Sequence, residues 1–258
     1  MPNAVLENEA ERGRGWDELP KVQTRIEGLD EVLGGGIPKG SVTLISGPPG
    51  SMKSTLAYGI LHGNAVQANV PSLYISLEQG KDNLQRQMAA AGFHVGPSWK
   101  NLHILDIGAI QKRIGRSRRS IWVNYLHRAV ETTRRIQGAE LIVLDSLEAL
   151  EVLAKFEDRR SELFEFFEWF RGLEATALVL SEGSRDASAL VIDGGHRTHN
   201  DENFLADGVI ELKMHPINEL DMQRRVRVVK MRACHHKTGF YTLVFEDGTF
   251  SLTRSLSD

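Results

Sequence analysis

A lone cysteine, Cys234, leaves this chain without the material for an intrachain disulfide framework, and no Cys and His spacing in it suggests a structural zinc site. It also lacks any run of about 18 or more apolar residues with which to span a bilayer. The opening MPNAVLENEAERGRGWDELP has no apolar segment of the signal-peptide kind. These absences lead us to expect a cytoplasmic protein without a membrane anchor. Charge of one sign is not in excess either: 31 Lys and Arg stand against 34 Asp and Glu, so no global electrostatic footprint for nucleic acid exists. Internal repeats and Pro-rich or Ser-rich linkers are missing too. With 258 residues, 41% of them hydrophobic, one large domain is the simplest organisation.

What is present is a rhythm. Residues 1–20 are charged, poor in periodic apolar residues and closed by Pro20, and read as a flexible tail. From there to residue 258, β-branched or leucine-rich runs alternate with helical patterns, the sign of βα units building an α/β fold around a mostly parallel twisted sheet. Strands are expected at 41–46, 72–77, 102–107, 141–145 and 176–182. Three more runs, 208–214, 225–231 and 241–246, follow without a helix-length insertion and are expected to be antiparallel strands at the sheet's edge. Apolar residues at helical spacing over 53–67, 81–91, 121–136 and 158–173 supply the covering layers, with Gly92 and Gly138 as stops.

The stretch SVTLISGPPGSMKSTLAYGIL carries the strongest chemistry. A buried-type strand, a Gly- and Pro-rich turn, Lys53, Ser54 and a helix follow in the order of a phosphate-binding loop. Backbone N–H groups of Gly47, Pro48, Pro49, Gly50, Ser51, Met52 and Lys53, prolines excepted, would converge on a phosphate at the positive end of the helix. Lys53 would bridge the β- and γ-phosphates of ATP, Ser54 would ligate Mg²⁺, and Thr55 would reach the α-phosphate. Met52 stands where the pattern G-x-x-x-x-G-K-[ST] has its second glycine. A side chain there resists φ above zero, so altered loop geometry or turnover is expected. The alternative is a Gly-rich turn with an incidental lysine.

From Val22 to about residue 252 the chain resembles the RecA superfamily of P-loop ATPases, and within it the KaiC-like and RadA-like members. The resemblance rests on TRIEGLDEVLGGGIPKGSVTLISGPPGSMKST, YISLEQG, LIVLDSLEAL, ENFLADGVIEL and VRVVKMRACHHKTGF, in the family's order. It implies a RecA-like P-loop core. In such ATPases the strand after the P-loop helix ends in a glutamate that polarises the attacking water, and Glu78 sits at that place. KaiC domains usually show two adjacent glutamates; here Gln79 follows, so one carboxylate remains and slower hydrolysis is implied. Asp145 ends an apolar strand and fits the Walker B carboxylate that holds Mg²⁺. Lys230, Arg232 and His236 match the K-x-R-x(3)-H pattern that reaches a neighbouring subunit's nucleotide, and Asp247 is implied to approach it too. A homo-oligomer, a hexameric ring with nucleotide at its interfaces, follows from the resemblance. The plainer readings are a solvated strand-end carboxylate for Glu78, a turn cap for Asp145, and a cationic edge strand that blocks aggregation for the three cations.

Ser181 and Glu182, ending the strand TALVLSE, are compatible with a γ-phosphate sensor or with a helix cap, and stay unassigned. The basic run 111–120 is read as a solvated loop, with nucleic acid or an acidic partner as the disfavoured alternative, since it lacks interleaved aromatics. Residues 183–200, with His196 and His199, take the place of the ring's mobile loop and are read as flexible and polar rather than metal-binding. The aromatic run 163–170 is expected to be core. The leading functional expectation is a slow, Mg²⁺-dependent ATPase in a regulatory role. A Ser/Thr autokinase and a nucleotide-held scaffold or DNA-associated protein with vestigial hydrolysis are the alternatives.

Overall fold

The computed structural model describes residues 19–93, 100–108, 119–182, 201–218 and 220–254. The expected tail, the basic run at 111–118 and the segment 183–200 with its two histidines thus lie outside the described residues, apart from Leu19 and Pro20. The frame is a nine-stranded sheet in the spatial order β11-β10-β9-β8-β3-β7-β6-β4-β5. In chain order these are β3 (Val42–Ser46), β4 (Ser72–Ser76), β5 (Leu102–Asp106), β6 (Leu141–Asp145), β7 (Thr176–Ser181), β8 (Gly208–Pro216), β9 (Met222–Met231), β10 (Tyr241–Glu246) and β11 (Thr249–Arg254). A separate two-residue ladder, β1 (Lys21–Val22) with β2 (Ile37–Pro38), precedes them.

Six strands run parallel, from β8 through β3 to β5. Parallel strands are covered on both faces, which is why they read as unbroken apolar runs. The pleat sorts them in alternation. Ile45, Tyr74, Val143, Leu178 and Ile210 face one core, which the helix Lys53–Gln67 covers. Leu44, Ile75, Leu144, Val179 and Val209 face the other, covered by the helices Arg119–Gln137, Leu147–Ala154 and Arg159–Gly172. The aromatic run at 163–170 turns one face of its helix to the core: Leu163, Phe166, Phe167 and Phe170 are buried, whereas Phe164 is exposed.

One expectation needs correction, and several elements are additions to those expected. The strand at 208–214 is not an antiparallel edge: β8 pairs parallel with β3 and antiparallel with β9. The true edge on that side is β11, a strand the sequence pattern does not announce, which closes a hairpin with β10 through Asp247 and Gly248. Both turn residues have positive φ, 47° and 75°, as a two-residue turn matched to strand twist requires. Three short helices, Leu29–Val32, Leu147–Ala154 and Asp201–Leu205, are also additions to the expected elements. Gly92 and Gly138 do end helices, both with left-handed φ.

Candidate active site

The register aligns the carboxyl ends of four parallel strands into one row: Ser46 opposite Ser181, and Ser76 opposite Asp145. Crevices at such ends are where open α/β sheets hold ligands. β7 lies between the strand that feeds the glycine-rich loop and the strand that carries Asp145, so residues far apart in sequence converge there.

The loop runs from Gly47 to Met52, and the helix starts at Lys53. A Cβ at Gly47 would sit 2.7 Å from the Leu212 carbonyl oxygen and 2.9 Å from Ser51 Oγ, so only glycine fits. The Ser51 amide closes onto the Pro48 carbonyl at 3.2 Å, with Pro49 and Gly50 forming the bend. Met52 adopts φ 72° and ψ 27°, the left-handed conformation that its side chain was expected to resist. Such a backbone costs about 1–2 kcal/mol for an L-residue. The side chain packs against the core around the Lys53–Gln67 helix, which offsets that cost. Lys53 donates to the carbonyl oxygens of Gly47 at 2.7 Å and Pro48 at 3.1 Å. Burial pulls its pKa below the usual lysine value, against the opposing pull of Glu148 first and then of Glu182, Asp145 and Glu78.

Those four carboxylates lie near enough to act on the ammonium group. Asp145 points to the helix face because it continues the alternation of Leu141 and Val143. It accepts hydrogen bonds from the Tyr74 hydroxyl and from Ser54, and burial raises its pKa above the ordinary value despite them. Tyr74, fully buried, has its phenol pushed well up by burial and then by the Asp145 charge, so it stays a proton donor. Glu78 follows β4 and accepts from Ser146 Oγ at 2.5 Å; the Asp145–Ser146 peptide is cis. Ser146 also caps the helix Leu147–Ala154. Glu148, in the first turn of that helix, accepts from Ser181 Oγ at 2.7 Å and from the Glu182 amide at 2.8 Å. Glu78 and Glu148 line one side of a cavity of about 330 Å³ whose other walls are Leu77, Ala149, Val152 and Leu153. Arg224, at the outer end of β9, reaches the Gly50 carbonyl at 3.3 Å.

The expected residues therefore divide. Gly47 to Thr55, Glu78 and Asp145 form one cluster. Lys230, Arg232, His236 and Asp247 are held elsewhere. Lys230 pairs level with Val209, itself opposite Leu44, and the Arg232 amide bonds Asp207, whose own amide bonds Val42. Both cations thus sit toward the start of β3, up to roughly 13 Å along the strand from the loop at its end. Lys230 Nζ donates to the carbonyls of Asn203, Phe204 and Ala206, at 2.6 Å for the last, and burial with the Arg232 charge lowers its pKa. Arg232 pairs with Asp207 at 3.0 Å. His236 Nδ1 lies 3.3 Å from the Cys234 carbonyl, and Asp247 packs against Gly92. Three members of the cluster carry no signal that the sequence alone reveals. Tyr74 is hidden in an ordinary strand pattern, whereas Glu148 and Arg224 meet partners 33 and 174 residues away. Among the described residues, no group of three or more His, Cys, Asp or Glu side chains is arranged to hold a metal, and no helix is long and apolar enough to cross a membrane.

Known proteins are similar to this chain in sequence and in fold. A "UPF0273 protein" of Thermotoga maritima is 29% identical over 228 residues, covering 84% of this chain and 89% of that protein. The circadian clock protein KaiC2 of Synechocystis is 27% identical over 241 residues, which span 91% of this chain but 40% of that longer protein. The crystal structure of a KaiC-like protein from Pyrococcus horikoshii superimposes with a TM-score of 0.72 over 91% of this chain and 99% of the other, at 22% identity, and shows the same RecA-type fold. The model of the KaiC ATPase family matches residues 22–255, and the chain belongs to that family of nucleotide-binding ATPases.

Proposed function

We propose that residues 21–258 work as one domain that binds ATP with Mg²⁺ and hydrolyses it slowly within a ring of identical subunits, six by family resemblance. The observation that carries this reading is the hydrogen bond between Ser54 and Asp145, beside Lys53. It joins the first hydroxyl of the loop's helix to a strand-end carboxylate, two groups that would hold a Mg²⁺ ion, which would supply charge neutralisation on the phosphates. Mg²⁺ keeps several waters and takes few protein ligands, so Ser54 and Asp145 suffice. The Ser51 hydroxyl is buried without a hydrogen-bond partner among the described residues, inside the loop that a polyanion would fill. Lys53 would turn from the Gly47 and Pro48 carbonyls to the phosphates. Glu78 would orient the attacking water after loosening from Ser146, which fits slow turnover.

Lys230, Arg232, His236 and Asp247 are assigned to a neighbour's nucleotide. What supports this is their placement away from their own loop. Fixed cations from a second chain would neutralise charge on the terminal phosphates. The similarity to clock proteins supports a regulatory role, and the composition a cytoplasmic one.

The test is phosphate release and size with and without ATP and Mg²⁺. Lys53→Ala and Arg232→Ala should each lose turnover while staying folded. Mixing the two should restore about a quarter of the sites, because a shared site takes its loop from one subunit and its cation from the next. Undiminished release by Lys53→Ala refutes the ATPase. Failure of the mixture to recover refutes the shared site. Tight ATP binding without turnover in the unaltered protein would favour the scaffold reading.

A further inference from the structure

Glu148 has no part in the roles assigned so far, yet it occupies the centre of the site. Its Oε1 accepts two hydrogen bonds from the end of β7, from the Ser181 hydroxyl and the Glu182 amide. Its Oε2 is buried and has no hydrogen-bond partner among the described residues, although it belongs to a carboxylate. Such an oxygen is costly to leave unsatisfied. The strand that carries its two donors lies between the strand of the glycine-rich loop and the strand of Asp145, at the same carboxyl edge. Of the four acidic residues acting on Lys53, Glu148 acts most strongly.

A hydroxyl and a backbone amide that meet on one carboxylate, with a lysine ammonium within its electrostatic reach, form the donor set that a terminal phosphate uses. We propose that Glu148 is a resident competitor for the γ-phosphate: its carboxylate holds the Ser181 hydroxyl and the Glu182 amide beside Lys53, and it must release them when a nucleoside triphosphate is seated. Glu148 would thereby set the preference between triphosphate and diphosphate. ADP, gripped by the loop amides from Gly47 to Lys53, leaves the end of β7 alone. ATP brings a further anion into a space where a carboxylate already stands, and the repulsion weakens its binding. Release of Glu148 also frees the first turn of the helix Leu147–Ala154, whose Ala149, Val152 and Leu153 wall the neighbouring cavity.

The proposal rests on the nucleotide reading above, and the experiment separates the two. Calorimetry with Mg²⁺ measures the affinities of the full chain for ATP and for ADP, and repeats them for Glu148→Gln and Glu148→Ala. Glutamine keeps an acceptor for Ser181 and Glu182 and removes the charge; alanine removes both. The expected result is ATP affinity raised about tenfold in both variants, the size of like-charge repulsion at a half-buried site, with ADP affinity changed less than about threefold. An ATP-to-ADP ratio that stays level or falls overturns the proposal. So does a ratio that moves only in Glu148→Ala, since that would make the residue a structural tie. If the unaltered protein bound neither nucleotide, the phosphate-site reading would fail and the proposal with it.

Discussion

Asp145→Asn should make the nucleotide-free protein more stable and the Mg²⁺·ATP complex less so. Asp145 is a largely buried carboxylate whose pKa burial raises above its ordinary 3.8, with Glu78 adding to the rise. A carboxylate with a raised folded pKa destabilises the fold once it ionises. Below about pH 4 both states are protonated and the substitution costs or gains little. As pH rises through the raised folded value, the unfolded chain has already lost its proton and the native protein loses stability relative to it. Asparagine removes the charge and keeps an acceptor for the Tyr74 hydroxyl, while the Ser54 hydroxyl can reverse and accept. At pH 7 and without ligand we therefore expect a gain in stability, read as a higher Tm, each 1 kcal/mol gained moving Tm by roughly 2–4 °C for a chain of this size. With Mg²⁺·ATP at a hundred times its Kd, the unaltered protein should gain about 2.7 kcal/mol from binding, and the variant, with one proposed Mg²⁺ ligand lost, should gain less. The order of the two melting curves should reverse. Thermal melts at pH 4, 5, 6 and 7, with and without Mg²⁺·ATP, measure both effects. A variant that melts lower at pH 7 without ligand, or that is stabilised equally by Mg²⁺·ATP, refutes the placement of a costly, metal-binding charge at this position.

Two further predictions concern the loop. Gly47→Ala puts a methyl group 2.7 Å from the Leu212 carbonyl oxygen, so we expect a loss of about 1–3 kcal/mol in urea unfolding and weaker ATP binding, and wild-type values on both would contradict the close approach. At Met52, with φ 72°, glycine should leave stability within about 1 kcal/mol, because relief of strain and lost packing oppose each other, whereas the β-branched Val should lose more than that; equal melting of the two variants would show that the left-handed conformation is not maintained.

The resting arrangement has consequences for how the site can be regulated. One lysine stands among four carboxylates, and the order of their influence begins with Glu148, not with the residues that the phosphate chemistry uses. For the proposed nucleotide to seat, its phosphates would have to compete with these carboxylates for Lys53. Lys230 and Arg232 are likewise engaged, with backbone carbonyls around the helix Asp201–Leu205 and with Asp207. For them to serve a neighbouring subunit in the proposed ring, these bonds would have to be exchanged on assembly.

Local chemistry made much of this legible in the sequence. The parallel strands could be placed because burial on both faces demands continuous apolar residues, and the helix Lys53–Gln67 was bounded correctly because its loop has few allowed conformations. The family pattern reached Glu78 and Asp145 because each sits at a strand end whose position the pattern fixes. Only the tertiary structure decided the rest. The spatial order of strands puts β7 between β3 and β6, which brings Glu148 to Ser181; no local rule encodes that contact. Arg224 meets Gly50 because β8 carries β9 alongside the loop, a placement that the strand pattern alone leaves open. Met52 takes a backbone conformation that its side chain disfavours, because packing against a core assembled from distant segments outweighs the local preference. Short-range sterics and periodicity determine which segments become strands, helices and turns, whereas the convergence of charges on Lys53 depends on how those segments are stacked.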